Sequence, residues 1–119
     1  MDEPRVGGLH HVTAIAADPQ ANVDFHAGVL GLRLVKKTVN QDDPFSYHLY
    51  YGDEIGRPGT AMTFFPLPGV PPGTPGRAQA CAIAFSVPPD ALERWPRHLE
   101  RRGFAVAGTA IVAFVHQRT

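Results

Sequence analysis

The order of secondary-structure patterns in residues 7–66 constrains the fold more than any other feature of the chain. Small apolar residues alternate with His11 and Thr13 in Leu9–Ala16, which predicts a strand whose two faces differ. Asp18, followed by proline, predicts a helix start, because Asp is a good N-cap and proline suits the first helical position. Gly31 predicts the left-handed residue that ends this helix, after about residue 29.

Three more strands follow the predicted helix and are separated by turn-forming segments. The patterns place them at Leu32–Val39, Tyr47–Tyr51 and Thr60–Phe65. A chain that runs strand, helix, strand, strand, strand predicts an α+β fold. Residues 7–66 are therefore expected to form a first βαβββ module.

A second, incomplete module is predicted to begin after residue 77. Residues 67–77 are rich in proline and glycine and predict a connection. Beyond it, Ala78–Val87 has the pattern of a strand, and a helix follows that reaches Arg102 and ends at Gly103. One or two short strands are predicted within residues 106–115. Residues 78–119 are thus expected to be the start of a strand–helix–strand unit that is cut short.

Charge and hydropathy narrow the class of partner. Eleven basic and eleven acidic residues cancel, which argues against binding of nucleic acid or of an anionic membrane surface. No apolar run approaches the roughly 20 residues of a membrane-spanning helix, and no signal-peptide pattern is present. The single cysteine, Cys81, cannot form an internal disulfide. Together these features predict a cytoplasmic protein.

The adjacent histidines His10 and His11 are the first candidates for chemistry. Neighbours on a strand point to opposite faces, so the two cannot both bind one metal in simple strand geometry. Strand parity places His11 on the same face as Thr13. Taken alone the pair is a weak signal, and ordinary half-buried histidines are the simpler interpretation, because no recognised metal-binding spacing accompanies it.

The remaining histidines have weaker claims. His48 lies in an aromatic strand and could line a cavity for an aromatic substrate, although a half-solvated strand histidine is the simpler interpretation. His26, on the predicted helix, is expected to be solvated or partly packed, and His98 and His116 are expected at the surface. Composition and spacing alone therefore leave an α+β domain of unknown activity.

A series of phrases, in order along residues 7–95, is more specific than any single residue. Together they resemble the N-terminal module of hydroquinone-type ring-cleaving dioxygenases in the vicinal oxygen chelate (glyoxalase) superfamily. The phrases are Gly8–Ile15, Asp18–Gln20, Asn22–Phe25, Gly28–Asn40, Asp42–Pro44, Tyr47–Asp53, Pro58–Thr60 and Thr63–Pro66.

This resemblance implies a metal site, typically Fe(II), held by two histidines and one glutamate. His11 matches the ligand from the first module, and the other histidine and the glutamate come from the C-terminal half. His10 and Thr13 match positions close to the metal and the pocket, and both are candidate catalytic residues. Two histidines and a carboxylate leave open positions on the metal for dioxygen and an aromatic diol. Another divalent metal is the alternative.

The resemblance implies a ring-cleaving dioxygenase that acts with dioxygen on hydroquinone or catechol-like aromatics. Two alternatives share the fold, namely a non-redox small-molecule binding module and a glyoxalase-like lyase or isomerase. The sequence departs from the family at His26, where tyrosine is common, and in the region after Gly103. Since the second half of the family pattern is absent, the chain is expected to be incomplete alone and to need a C-terminal module or a second copy.

Overall fold

The computed structural model describes residues 3–39, 43–80 and 82–107. The chain divides into two compact units, Met1–Thr74 and Pro75–Thr119, which are considered in turn. No helix among the described residues has the length and apolar character needed to cross a membrane.

The first unit is a four-stranded sheet with one helical segment. Its elements are β1 (His11–Ala16), α1 (Pro19–Val23), β2 (Arg33–Val39), β3 (Tyr47–Gly52) and β4 (Ala61–Pro66). The strands lie in the order β1-β4-β3-β2, with β1 parallel to β4 and the other neighbours antiparallel. The predicted α+β class and its βαβββ order are confirmed.

Helix α1 begins where the sequence predicts. The Asp18 carboxylate accepts a hydrogen bond from the backbone N–H of Ala21 at 2.7 Å, and Pro19 is the first helical residue. An N-cap of this kind satisfies a backbone donor that has no partner within the helix. Gly31, with φ of +75°, ends the helical segment as predicted.

The second half of the helical segment differs from the regular α-helix that the sequence predicts. Residues Asp24–Val29 form a π-helix, and the N–H of Leu30 bonds the carbonyl of Phe25, five residues earlier, at 2.9 Å. The wider turn inserts one residue into the helical period. A periodic pattern of apolar residues cannot predict this extra residue, because the pattern shows which helix face is apolar and not how the backbone hydrogen bonds are spaced.

The hydrophobic core lies between the helical segment and one face of the sheet. It is built from alternate residues of the two central strands, Leu49 and Tyr51 on β3 and Met62 and Phe64 on β4. Partly buried apolar residues pack around these four, namely Ala14, Ala16, Val23, Ala27, Leu32 and Leu34. The opposite sheet face therefore carries the other residues of each strand.

The second unit contains a short 3₁₀ helix, Pro89–Ala91, and helix α2, Arg94–Arg101. The helix predicted to follow residue 87 thus begins only at Arg94. Pro96 is the third residue of α2, where a missing N–H costs no intrahelical hydrogen bond. Gly103, with φ of +87°, ends α2 as predicted. His98, expected at the surface, is half-buried and its ring contacts Trp95 edge to face.

The strand predicted at Ala78–Val87 is wrong for the described residues of that segment, 78–80 and 82–87, which have no strand pairing. A segment with alternating apolar residues forms a strand only where a neighbouring strand supplies backbone hydrogen bonds. The described residues of the second unit contain no strand that could pair with this segment. The strands predicted toward residue 115 and His116 lie largely outside the described residues, although residue 106 is described and is not in a strand.

Candidate functional site

The sheet face opposite α1, here called the open face, groups the candidate residues of the first unit. Strand pairing sets Thr13 beside Thr63 and Thr63 beside Tyr50, so β1, β4 and β3 place these side chains in one row across the sheet. His11 and His48 lie in the rows on either side. His11 and Thr13 therefore share a face, as the strand parity predicts.

The two adjacent histidines meet through their rings. His10 Nδ1 and His11 Nδ1 lie 3.0 Å apart, with the rings nearly perpendicular at 86°. One of the two nitrogens must carry the hydrogen. His10 precedes β1, so strand parity does not send its ring to the opposite face. Nε2 of His11 takes no part in this hydrogen bond.

A glycine in the β3–β4 connection fixes the backbone at His10. The N–H of Gly59 donates to the carbonyl of His10 at 2.7 Å. Gly59 has φ of +85°, and a Cβ there would lie 3.3 Å from the carbonyl oxygen of Leu9. This close approach in the left-handed region favours glycine over any residue with a side chain.

Four side chains from three strands form a continuous series of hydrogen bonds, here called the polar chain. Thr13 Oγ1 lies 2.6 Å from Thr63 Oγ1, and Thr63 Oγ1 lies 3.1 Å from His48 Nε2. His48 Nδ1 lies 3.0 Å from the Tyr50 hydroxyl. Thr63, in the middle, is completely buried, whereas Thr13 at one end is exposed. Sequence inspection did not single out Thr63 or Tyr50, because only strand pairing brings them together with Thr13 and His48.

Burial lowers the pKa of His48 from its ordinary value of 6.5, and electrostatic interactions with His11 and with Lys36 lower it further. His48 is therefore neutral near pH 7, with one nitrogen donating and the other accepting. Lys36 lies over the Tyr50 ring, with Nζ 5.5 Å from the ring centroid. The open face thus carries positive charge next to neutral hydroxyl groups.

Aromatic rings flank the polar chain. The ring of His48 packs against Phe65 at 4.0 Å between centroids and against Tyr50 at 4.2 Å. The ring of His11 lies 6.2 Å from that of Tyr50. A flat aromatic ligand on this face would meet ring surfaces and hydroxyl groups together.

The helix-facing side holds a second polar cluster that belongs to the core. His26, expected to be solvated or partly packed, is 8% exposed; its ring stacks on that of Tyr51 at 4.9 Å between centroids and contacts that of Phe64 in a tilted arrangement at 4.5 Å. His26 Nδ1 donates to the Asn22 carbonyl at 2.9 Å, and the Tyr51 hydroxyl donates to Asn22 Oδ1 at 2.8 Å. Burial lowers the pKa of His26, partly offset by that backbone hydrogen bond, and raises the pKa of Tyr51 to about 12. In the sequence, the four-residue spacing of Asn22 and His26 was the feature that could have predicted this cluster, since it places both side chains on one face of a helix.

His11 is not part of a complete ligand set within the described residues. Among them, no group of three or more histidine, cysteine, aspartate or glutamate side chains is arranged to hold a metal ion. The open face contributes one imidazole nitrogen suited to metal coordination, together with hydroxyl and ring surfaces beside it.

The fold and this grouping define a βαβββ module with histidines and hydroxyl groups on one sheet face. Residues 8–115 match the family described as Glyoxalase/Bleomycin resistance protein/Dioxygenase superfamily. The chain belongs to this superfamily.

Several proteins similar to this chain are named as dioxygenases. The chain is 57% identical over 99 residues to the "Putative ring-cleaving dioxygenase MhqE" of Bacillus subtilis, which covers 83% of this chain and 33% of the relative. It is 41% identical over 105 residues to the chlorohydroquinone/hydroquinone 1,2-dioxygenase of Sphingobium indicum, which covers 87% of this chain and 33% of that protein. The chain therefore spans about a third of the length of these relatives.

Solved structures agree on the fold. The structure of a Bacillus subtilis protein named "putative dioxygenase" superposes with a TM-score of 0.77 at 53% identity, covering 81% of this chain and 31% of that chain. A Listeria monocytogenes fosfomycin resistance protein, FosX, solved with Mn(II) and sulfate, superposes with a TM-score of 0.57 at 14% identity, covering 83% and 74%. At that identity the second structure supports the fold alone.

Proposed function

We propose that this chain supplies one βαβββ module of a metal-dependent ring-cleaving dioxygenase acting on hydroquinone or catechol-like aromatics with dioxygen. The observation that carries the proposal is the open face, where His11 lies beside Thr13 and a set of aromatic rings. The relatives named as ring-cleaving dioxygenases agree with this chemistry.

His11 is the proposed metal ligand, and Nε2 is the proposed ligating atom. A metal-bound histidine usually donates its other ring N–H to an acceptor, which fixes the tautomer. His10 Nδ1, 3.0 Å from His11 Nδ1, can accept that hydrogen. The donor set therefore fits one ligand of a metal site, and it gives His10 the role of orienting His11.

Fe(II) is the metal that we propose, with another divalent ion as the alternative. Bound to two histidines and a carboxylate, it would act as a Lewis acid and as a template for the aromatic diol and dioxygen. We propose that the second histidine and the glutamate come from a C-terminal module or from a second copy, since the described residues offer no such group.

Thr13 is the proposed contact for the substrate. Its hydroxyl is exposed on the open face, two residues along β1 from His11. The rings of Tyr50 and Phe65 would pack against the aromatic ring and exclude water from one side of it. Thr13 would then orient a substrate hydroxyl while the rings set the plane of the substrate.

An anaerobic Fe(II) titration of the 119-residue chain, followed by NMR, tests the metal ligand. Paramagnetic broadening is expected to centre on His11 and to extend over Thr13 and Tyr50. His11→Ala should abolish it without unfolding the chain, because His11 is exposed. His98→Ala, in the second unit, is the matched control and should leave the broadening unchanged. Broadening centred elsewhere, or equal in His11→Ala, would rule out this ligand.

Oxygen uptake with hydroquinone and catechol tests the activity. Uptake that requires both Fe(II) and His11 supports the dioxygenase. Iron binding at His11 without uptake at any protein concentration would instead favour the non-redox binding module.

A further inference from the structure

The polar chain can point its hydrogen bonds in either of two directions. Each of its three links joins groups that can both donate and accept, namely three hydroxyls and one imidazole. Since His48 is neutral near pH 7, it offers one donor and one acceptor. The direction of one link therefore fixes the direction of all the others.

In the first direction hydrogen bonds run from Tyr50 toward Thr13. The Tyr50 hydroxyl donates to His48 Nδ1, Nε2–H donates to Thr63, and Thr63 donates to Thr13. The Thr13 hydroxyl then donates outward from the open face. In the reverse direction Thr13 donates inward, Thr63 donates to Nε2, Nδ1–H donates to Tyr50, and the Tyr50 hydroxyl donates outward. The two directions differ in the tautomer of His48.

We propose that the polar chain is a recognition site for the ionised oxygen of a phenolic ligand, with Thr13 as the contact and His48 as the positioning residue. This deepens the proposed function and rests on its aromatic substrate. An ionised oxygen can only accept hydrogen bonds, so it requires Thr13 to donate outward. That requirement selects the first direction and the Nε2–H tautomer of His48.

Burial makes the coupling obligatory. Thr63 is completely inaccessible to water, and among the described residues its hydroxyl bonds only Thr13 and His48, so it has no other group there with which to compensate a reversal. Leaving a buried polar group without a partner costs about 1–3 kcal/mol, which is enough to enforce one direction. Lys36 adds positive charge beside the chain, with Nζ 5.5 Å from the centroid of the Tyr50 ring, which favours an anionic oxygen over a neutral one.

The test uses the 119-residue chain without metal and with labelled histidine nitrogens. The probe is pentafluorophenol, which is ionised at neutral pH, and its control is pentafluorobenzene, which has the same ring without the oxygen. Fluorine NMR reports binding, and the nitrogen shifts of His48 report its tautomer. His48→Gln assigns the signals. Pentafluorophenol is expected to shift His48 toward the Nε2–H tautomer, and pentafluorobenzene is not.

Variants of Thr63 separate coupling through the polar chain from a direct effect of the probe. Thr63→Val interrupts the chain and should abolish the tautomer shift, whereas Thr63→Ser keeps the hydroxyl and should retain it. Thr38→Val, which pairs with His48 from β2, is the matched control and should also retain it. Failure of the probe to bind, or an equal tautomer shift in Thr63→Val, overturns the proposal. Neither result depends on iron or oxygen uptake, so the proposed function stands or falls separately.

Discussion

The adjacent tyrosines of β3 give a matched pair for measuring what the buried polar cluster contributes to stability. Tyr51 faces the core and donates to Asn22 Oδ1 at 2.8 Å, with no exposed surface. Tyr50 faces the open side and hydrogen-bonds the partly exposed His48. Tyr51→Phe and Tyr50→Phe each remove one hydroxyl from neighbouring positions on opposite sheet faces, so the difference between them isolates the effect of burial.

The magnitude follows from what each hydroxyl leaves behind. Tyr51→Phe keeps the ring contacts with His26 and Phe64, so little apolar burial is lost. It leaves Asn22 Oδ1 without that donor in a site that is 8% exposed, at a cost of about 1–3 kcal/mol. Tyr50→Phe leaves His48 without that partner, but His48 is partly exposed and water can replace the lost hydroxyl, so the free energy of unfolding should change by no more than about 0.5 kcal/mol.

Urea unfolding followed by NMR of β4 amides is the assay, because these signals report the first unit, whereas Trp95 lies in the second. Each kcal/mol lost corresponds to a fall of roughly 4–8 °C in the melting temperature of a domain of this size. Equal effects of Tyr51→Phe and Tyr50→Phe would refute the reasoning, because they would mean that the Tyr51–Asn22 hydrogen bond is replaced by water at no net cost.

Three further predictions concern pH, backbone geometry and capping. Folding lowers the pKa values of His26 and His48 from 6.5, so the folded state favours the neutral form of both. The stability that they contribute is therefore complete above about pH 6.5. It falls as the pH drops through the lowered pKa values of the folded state. Urea midpoints across this range should show that fall, and His26→Phe should reduce it. Gly59→Ala should cost about 1–2 kcal/mol of stability, because Gly59 has φ of +85°. Gly28→Ala is the control and should not destabilise, because a Cβ there meets no atom within 4 Å. Thermal melts compare the two variants. Asp18→Ala should cost about 1 kcal/mol through loss of the N-cap bond, measured in the same melts, and an unchanged melt would contradict that role.

The sequence predicts the first unit well because its signals are local. The Asp18 N-cap, the Gly31 terminator and the alternation in Leu9–Ala16 each depend on a few neighbouring residues. The same alternation places His11 and Thr13 on one face, since side-chain direction on a strand follows from parity alone.

The remaining features depend on contacts between segments distant in sequence. Thr63 becomes part of the candidate site only because β4 pairs with β1 on one side and β3 on the other. The buried position of His26 against the rings of Tyr51 and Phe64 likewise depends on β3 and β4, which no helical periodicity reports. The strand predicted at Ala78–Val87 fails for a related reason, because its alternation carries no information about whether a pairing partner exists.

Alternation along β3 separates the core from the proposed recognition site within one strand. Leu49 and Tyr51 belong to the core, and His48 and Tyr50 belong to the polar chain. Substitutions on the open face therefore remove hydrogen bonds without opening a cavity in the core, so their effects on binding can be measured in a folded protein. A register shift of one residue would exchange the two sets and destroy both at once. The pairing of β3 with β4 is thus the contact on which the core and the candidate site jointly depend.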